Sequence, residues 1–327
     1  MAAGSAVDAV SGDGRMTRIL FSRCRPGHRL VRGEPVRRLQ RALEESGCDV
    51  GKIDGIYGGD TTAAVKTWQQ RRGEAETGMV TFECWSAIVG APPPSVRDRA
   101  LQLTADFEGH GFGKVAGNFD DAWLTWGIIG FTLRHGEVQR IIAEVEQHHP
   151  HLLVSACGPL TERLLEACGG GAAAQEAFAN EISLGRDRYK VRPEWAAAFD
   201  RLGSFAEVQE IQQRRVDRYW ARGLRDARRF GLTSELGLAL CFDIAVQNGG
   251  VDFGQEEIRI RDRLGRLMPH EEREVRLVIA DVVAETSRPQ YVEDVRSRKR
   301  TIATGTGTVH GTRYELAHWG LADVPAV

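Results

Sequence analysis

The chain has 327 residues, 42% hydrophobic and 27% charged, with a formal net charge of −2. That length allows two globular domains, the near-zero charge gives no support to nucleic-acid binding as the main task, and no apolar run approaches a membrane span. Six cysteines (Cys24, Cys48, Cys84, Cys157, Cys168, Cys241) lie scattered, without a CxxC pair or nearby His ligands. Zinc, a redox motif and a cofactor are therefore not indicated; buried thiols are expected, and a disulfide within the first three stays open for an oxidising compartment.

Residues 1–16 are small and polar, lack the basic start and apolar core of a secretory signal, and are expected to be disordered. Synthesis in the cytoplasm with delivery by another route is the expectation, and Met16 is an alternative start.

Residues 17–90 read as short helices with tight loops. Val36, Leu39 and Leu43 share a helical face, Gly47 follows it, Asp54-Gly55 makes a turn, and Asp60 is placed to cap a segment holding Ala64, Val65 and Trp68. Thr77-Gly78 precedes a last helix through Trp85 and Ile88. Each residue has a plain role in a small core. Taken together, GEPVRRLQRALEESG, IDGIYGGDTTAAVKTWQQRRG and TGMVTFECWSAI resemble a three-helix peptidoglycan-binding module over its whole length. Such a module holds an enzyme against a wall polymer; its ligand contacts are sought near Asp54–Tyr57 with Trp68 or Arg72, and Trp68 reads better as core. Pro92–Pro94 mark a linker at 91–96, and 97–327 reads as a larger, mostly helical domain.

In that domain an apolar run at helical spacing (Ala100, Leu103, Thr104, Phe107) ends at Glu108-Gly109, and a Gly-rich loop with Asp120 and Asp121 leads to Thr125 and Gly-Ile-Ile-Gly-Phe. A carboxyl at a helix C-terminus, near Phe107 and Phe112, is expected to keep its proton and suits a general acid. Asp120, among Gly117, Asn118 and Asp121, is expected to stay ionised and suits a base. Two carboxyl groups with opposed environments are what glycosidic cleavage requires; acidic residues at helix ends and in loops are more often simply solvated.

The order Glu108, Asp120, Thr125, GIIGF and then Gly136-Glu137 resembles the catalytic region of the glycoside hydrolase family 46 chitosanases, of the lysozyme-like superfamily. The resemblance implies Glu108 as acid, Asp120 as base, Thr125 as water-positioner, Glu137 as sugar contact, and inverting hydrolysis, which needs room for a water between base and sugar. It also implies a charge network in which Asp217 and Arg218 match an Asp-Arg step. The segment between acid and base is shorter than in that family, and Asp121, Ala122 and Trp123 replace a more Gly-rich turn. The implied fold class is mainly α: the three-helix module plus a larger helical lysozyme-like domain, with a short β/loop region beside the cleft.

Elsewhere in 97–327, Val138, Ile141, Ile142 and Val145 form an apolar stripe, as do Val275, Val278, Ile279 and Val282, and both read as core. The segment 205–230 carries Gln212, Arg214, Arg215, Asp217 and Arg218, and most of its charges read as a solvated face. Asp243, Gln247 and Asn248, at i, i+4 and i+5, are either satisfied in the core or line a sugar groove. Trp319 is expected to anchor the C-terminus, and His310 to be structural.

Two substrates are open. Chitosan asks for acidic side chains against glucosamine ammonium groups, and Asp121 and Glu137 fit. Peptidoglycan asks for neutral donors and basic residues, which Arg134, Gln247, Asn248 and the Arg-rich tail supply. The module favours peptidoglycan, cleaved between N-acetylmuramic acid and N-acetylglucosamine by a monomer acting on the wall after phage lysis or specialised export. A chitosanase, and a non-catalytic wall-binding protein, are the alternatives.

Overall fold

The computed structural model describes residues 8–10, 16–109 and 111–326 and is mainly α-helical. It divides into two compact units, one formed by the chain up to Asp106 and from Tyr219 onward, the other by Phe107–Arg218. The division does not fall at 91–96.

The first unit begins with β1 (Asp8–Val10) and β2 (Met16–Phe21), paired antiparallel with Asp8 opposite Arg18. Residues 8–10, expected to be disordered, thus form a strand because β2 offers them an edge; the rest of 1–15 lies outside the described residues. Next come α1 (Glu34–Glu45), α2 (Gly59–Arg71), β3 (Val80–Thr81) and α3 (Phe82–Val89), with β3 pairing β2. Pro35 occupies the first turn of α1, where its missing N–H costs nothing, and Val36, Leu39 and Leu43 are buried. Buried Gln40 takes the Gly55 N–H at 2.8 Å and donates to Asp54 and Thr61 at 3.1 and 3.0 Å, which fixes the Asp54-Gly55 turn against α1. Thr81 caps α3 by accepting from Cys84 N at 3.0 Å, and Trp85 stands edge-on to Phe21, 6.0 Å between ring centres.

The prolines at 92–94 are held in place: Pro92 O accepts from Trp85 Nε1 at 3.1 Å and Pro94 O from Arg99 Nε at 3.2 Å. Helix α4 (Val96–Phe107) then carries the chain into the second unit.

The second unit has a three-stranded sheet of β4 (Val115–Ala116), β5 (Thr125–Trp126) and β6 (Phe131–Thr132), all antiparallel. Helices α5 (Glu137–His148), α6 (Pro150–Cys157), α7 (Thr161–Gly169) and α8 (Ala172–Ile182) follow. A hairpin of β7 (Ser183–Leu184) and β8 (Lys190–Val191), then α9 (Pro193–Ser204) and the start of α10 (Ala206–Arg229), complete it. The α5 stripe is wholly buried. Gln212 of α10 is buried, accepts from Ile128 N at 3.0 Å and donates to Phe112 O at 3.0 Å, tying GIIGF to the loop after α4.

Back in the first unit are α11 (Glu235–Asn248), α12 (Gln255–Leu267), α13 (Glu272–Thr286), α14 (Val292–Thr304) and a hairpin of β9 (Thr306–Val309) and β10 (Thr312–Glu315). Val278, Ile279 and Val282 are buried and Val275 half-buried. Trp319 is fully buried against Tyr314, and His310 Nε2 meets Asp294 at 2.8 Å on the surface. All six cysteines are free thiols, five of them buried and Cys168 half-buried; burial pushes Cys24 up to about 11. No helix among the described residues is long and apolar enough to cross a membrane.

Candidate active site

Within the second unit, Glu108 follows directly on the last residue of α4 and is half-buried. The helix stops there because Gly109 turns into the left-handed region, φ +62°. Lys114 closes the turn, its Nζ donating to Gly109 O at 2.6 Å, and so sets a cation at the negative end of α4.

The loop carrying Asp120 is pinned at several points. Gly117 N donates to Tyr189 O at 2.9 Å, Asn118 N to Ser183 Oγ at 2.9 Å, and Asn118 Nδ2 to Asn180 Oδ1 at 2.9 Å. Gly117 is obligatory, since a Cβ there would collide with Arg188 O and the Ser183 side chain. On the far side, Trp123 N donates to Asn118 Oδ1 at 3.1 Å, and Arg134 N to Ala122 O at 3.2 Å. Between these anchors Asp120 is exposed, its Oδ1 accepting from Ala122 N at 3.2 Å. Asp121 and Trp123 both adopt left-handed backbone, φ +67° and +65°. Each costs about 1–2 kcal/mol in a residue with a Cβ, so the loop is held in a strained form by its anchors.

Thr125 opens β5, opposite Ala116 and Thr132, and is buried. Glu137, at the first position of α5, is buried with Oε1 taken by Arg140 Nη1 at 2.6 Å and by Arg218 Nη1; Oε2 has no hydrogen-bond partner among the described residues. Arg218 is paired with Glu137, and both Arg218 and the neighbouring Asp217 are exposed. Asp121 is exposed and paired with Arg134, which also donates to Asp121 O at 2.9 Å.

The trio on α11, in the first unit, separates. Asp243 is not a groove residue: it is fully buried, gripped by Arg298 (Nη2 to Oδ1, 2.7 Å), Lys299 (Nζ to Oδ2, 2.6 Å) and Thr104 (Oγ1 to Oδ1, 2.9 Å). Burial alone would raise its pKa, but the two cations beside it prevail and hold the carboxyl far below its usual range. Gln247 is half-buried with Oε1 unpartnered among the described residues, and Asn248 is exposed.

Sequence reasoning missed the loop's supports, Asn118, Asn180, Ser183 and the Tyr189 carbonyl. Asn118 after Gly117 was a usable turn signal; its partners Asn180 and Ser183 lie more than sixty residues on. No group of three or more His, Cys, Asp or Glu among the described residues is placed to hold a metal ion.

Residues 32–88 match the family model described as "Putative peptidoglycan binding domain". No curated protein matches the chain. Among solved structures, the native chitosanase of Bacillus subtilis MY002 is 19% identical, with 64% of this chain and 86% of that chain covered and a TM-score of 0.44. A mutant of that enzyme complexed with 6 GlcN is 20% identical over 64% and 84%, TM-score 0.43. A Gynuella sunshinyii GH46 chitosanase in complex with chitotetraose is 18% identical over 68% and 98%, TM-score 0.44.

Proposed function

We propose that the chain is a glycan hydrolase of the bacterial wall, with Glu108 as general acid, Asp120 as base, Thr125 placing the water, and peptidoglycan as substrate. The peptidoglycan-binding match at 32–88 carries the choice of polymer. The Asp120 loop supports the choice of site: an exposed carboxylate lies in a strained, multiply anchored loop, and strain of this kind persists where position matters for function.

Charge pairing supports peptidoglycan over chitosan. A polymer of glucosamine needs uncommitted carboxylates, whereas Asp121 is paired with Arg134, and Glu137 with Arg140 and Arg218. A substrate ammonium would have to displace an arginine that is already in place. Arg134, exposed beside the loop, suits a substrate with acidic peptides instead.

The test is a parallel digest of purified peptidoglycan and of chitosan, read by mass spectrometry of the soluble fragments. Disaccharide-peptides ending in reducing muramic acid, with chitosan left intact, support the reading. Glucosamine oligomers with intact peptidoglycan overturn the substrate, and no products from either overturn the activity.

A further inference from the structure

An exposed pair of aromatic side chains in the second unit includes the residue that precedes the proposed base. Phe119 and Tyr189 are 46% and 40% exposed, and their rings meet edge to face at 5.1 Å. Two exposed rings in contact form an apolar patch, which is more informative than a lone exposed ring. Here the backbone holds both rings out: Tyr189 O is bonded to Gly117 N, Tyr189 N donates to Asp187 Oδ1 at 3.2 Å, and Phe119 N donates to Gly117 O at 3.0 Å. Phe119 precedes Asp120 directly, so a ring seated on this pair is one residue along the chain from the base.

Tyr189 sits at the tip of the β7–β8 hairpin, in the segment Gly185-Arg-Asp-Arg-Tyr-Lys190. Arg186, Arg188 and Lys190 are exposed there against one acid, Asp187. Arg188 is committed to the loop through Asn180 Oδ1 at 2.6 Å. Arg186 and Lys190 are left to give the rim its positive field.

We propose that Phe119 and Tyr189 form a sugar-stacking subsite, and that the Arg186–Lys190 rim selects glycan bearing acidic peptides over cationic glucosamine polymers. This rests on the hydrolase reading above and adds a recognition surface to it. The aromatic faces take the apolar face of a pyranose ring regardless of its substituents, while the rim attracts peptide carboxylates and repels ammonium groups within a Debye length. Affinity and selectivity therefore reside in different side chains, and substitutions can separate them.

The test measures kcat and KM of the full chain on three soluble substrates: peptide-bearing glycan oligomers, the same oligomers stripped of peptide, and a glucosamine hexamer. Tyr189→Ala is expected to raise KM about tenfold on both glycan oligomers with kcat little changed, and Tyr189→Trp to restore it. The double variant Arg186→Glu/Lys190→Glu is expected to raise KM about tenfold on the peptide-bearing oligomer alone, an effect that fades at high salt. Wild-type KM values in both variants would overturn the subsite while leaving the hydrolase reading standing. So would a loss of kcat without a change in KM, which would make Tyr189 a support of the Asp120 loop. A wild-type chain that cleaves none of the three overturns both readings.

Discussion

Arg29 grips Asp106 with two nitrogens, Nε 2.9 Å from Oδ2 and Nη2 2.8 Å from Oδ1, and Tyr314 Oη donates to Oδ2 at 2.7 Å. Arg29 precedes α1, Asp106 lies near the end of α4 and Tyr314 is in β10, so one buried carboxylate joins three distant parts of the first unit. Asp106→Ala leaves the Tyr314 hydroxyl and a partly covered guanidinium without their acceptor. A loss of about 2–4 kcal/mol is expected by urea denaturation, against less than about 1 kcal/mol for Arg134→Ala, which breaks the exposed pair with Asp121. Equal effects of the two would contradict the buried clamp.

A second clamp implies that the binding module cannot be cut away. Glu235, buried at the start of α11, is held by Arg99 (Nη2 to Oε1, 2.7 Å) and by Arg18 of β2. Removing residues 1–95 strips Arg18 from Glu235 and Arg29 from Asp106, and uncovers the Gly320 turn against which buried Leu20 packs. The remaining chain is expected to be insoluble or to melt far below the full chain. A soluble truncation that melts cooperatively at the full-chain temperature would show instead that the module is only tethered.

Asp243 sets an acid limit on the fold. Its folded pKa is depressed, so the stability it contributes is complete above the unfolded aspartate value of about 3.9 and is lost as pH falls below that toward the folded value. Unfolding free energy should therefore drop from about pH 5 downward. Asp243→Asn should cost about 3–5 kcal/mol at pH 7 by stranding Arg298 and Lys299, and should flatten the acid limb. An unchanged slope between pH 5 and 3 would mean that other carboxylates, such as Glu144 and Glu272, whose pKa values are also lowered, govern it.

Elements defined by local periodicity were legible in the sequence, and those defined by distant partners were not. Val36, Leu39 and Leu43 on α1, the turn at Asp54-Gly55, and the α5 stripe follow from spacing and turn chemistry alone. Asp243, Gln247 and Asn248 looked alike because they are one turn apart, yet the cations that bury Asp243 come from positions 298 and 299. Arg218 comes to Glu137 from 81 residues away. The strands β1, β9 and β10 are too short to show alternation. The exposure of Phe119 and Tyr189 has no signature in local sequence, and only their placement shows it.

Gly117→Ala tests whether the Asp120 loop must be held as it is. The new methyl would push against Arg188 O and Ser183 and part the loop from the β7–β8 hairpin. Overpacking of this kind costs about 1–3 kcal/mol, while glycan cleavage should fall at least about tenfold as Asp120 loses its position. Full activity in this variant, read by release of reducing ends, would show that the anchors are dispensable.

Glu108 is the residue on which the proposed hydrolysis depends, and the most direct measurement is the rate at which soluble fragments leave purified peptidoglycan with wild type and with Glu108→Gln, each confirmed as folded by its melting curve. Loss of about 10²–10⁴-fold in rate, with binding to the polymer retained, is the predicted result. A Glu108→Gln protein that releases fragments at the wild-type rate would contradict the assignment of the acid and, with it, the site.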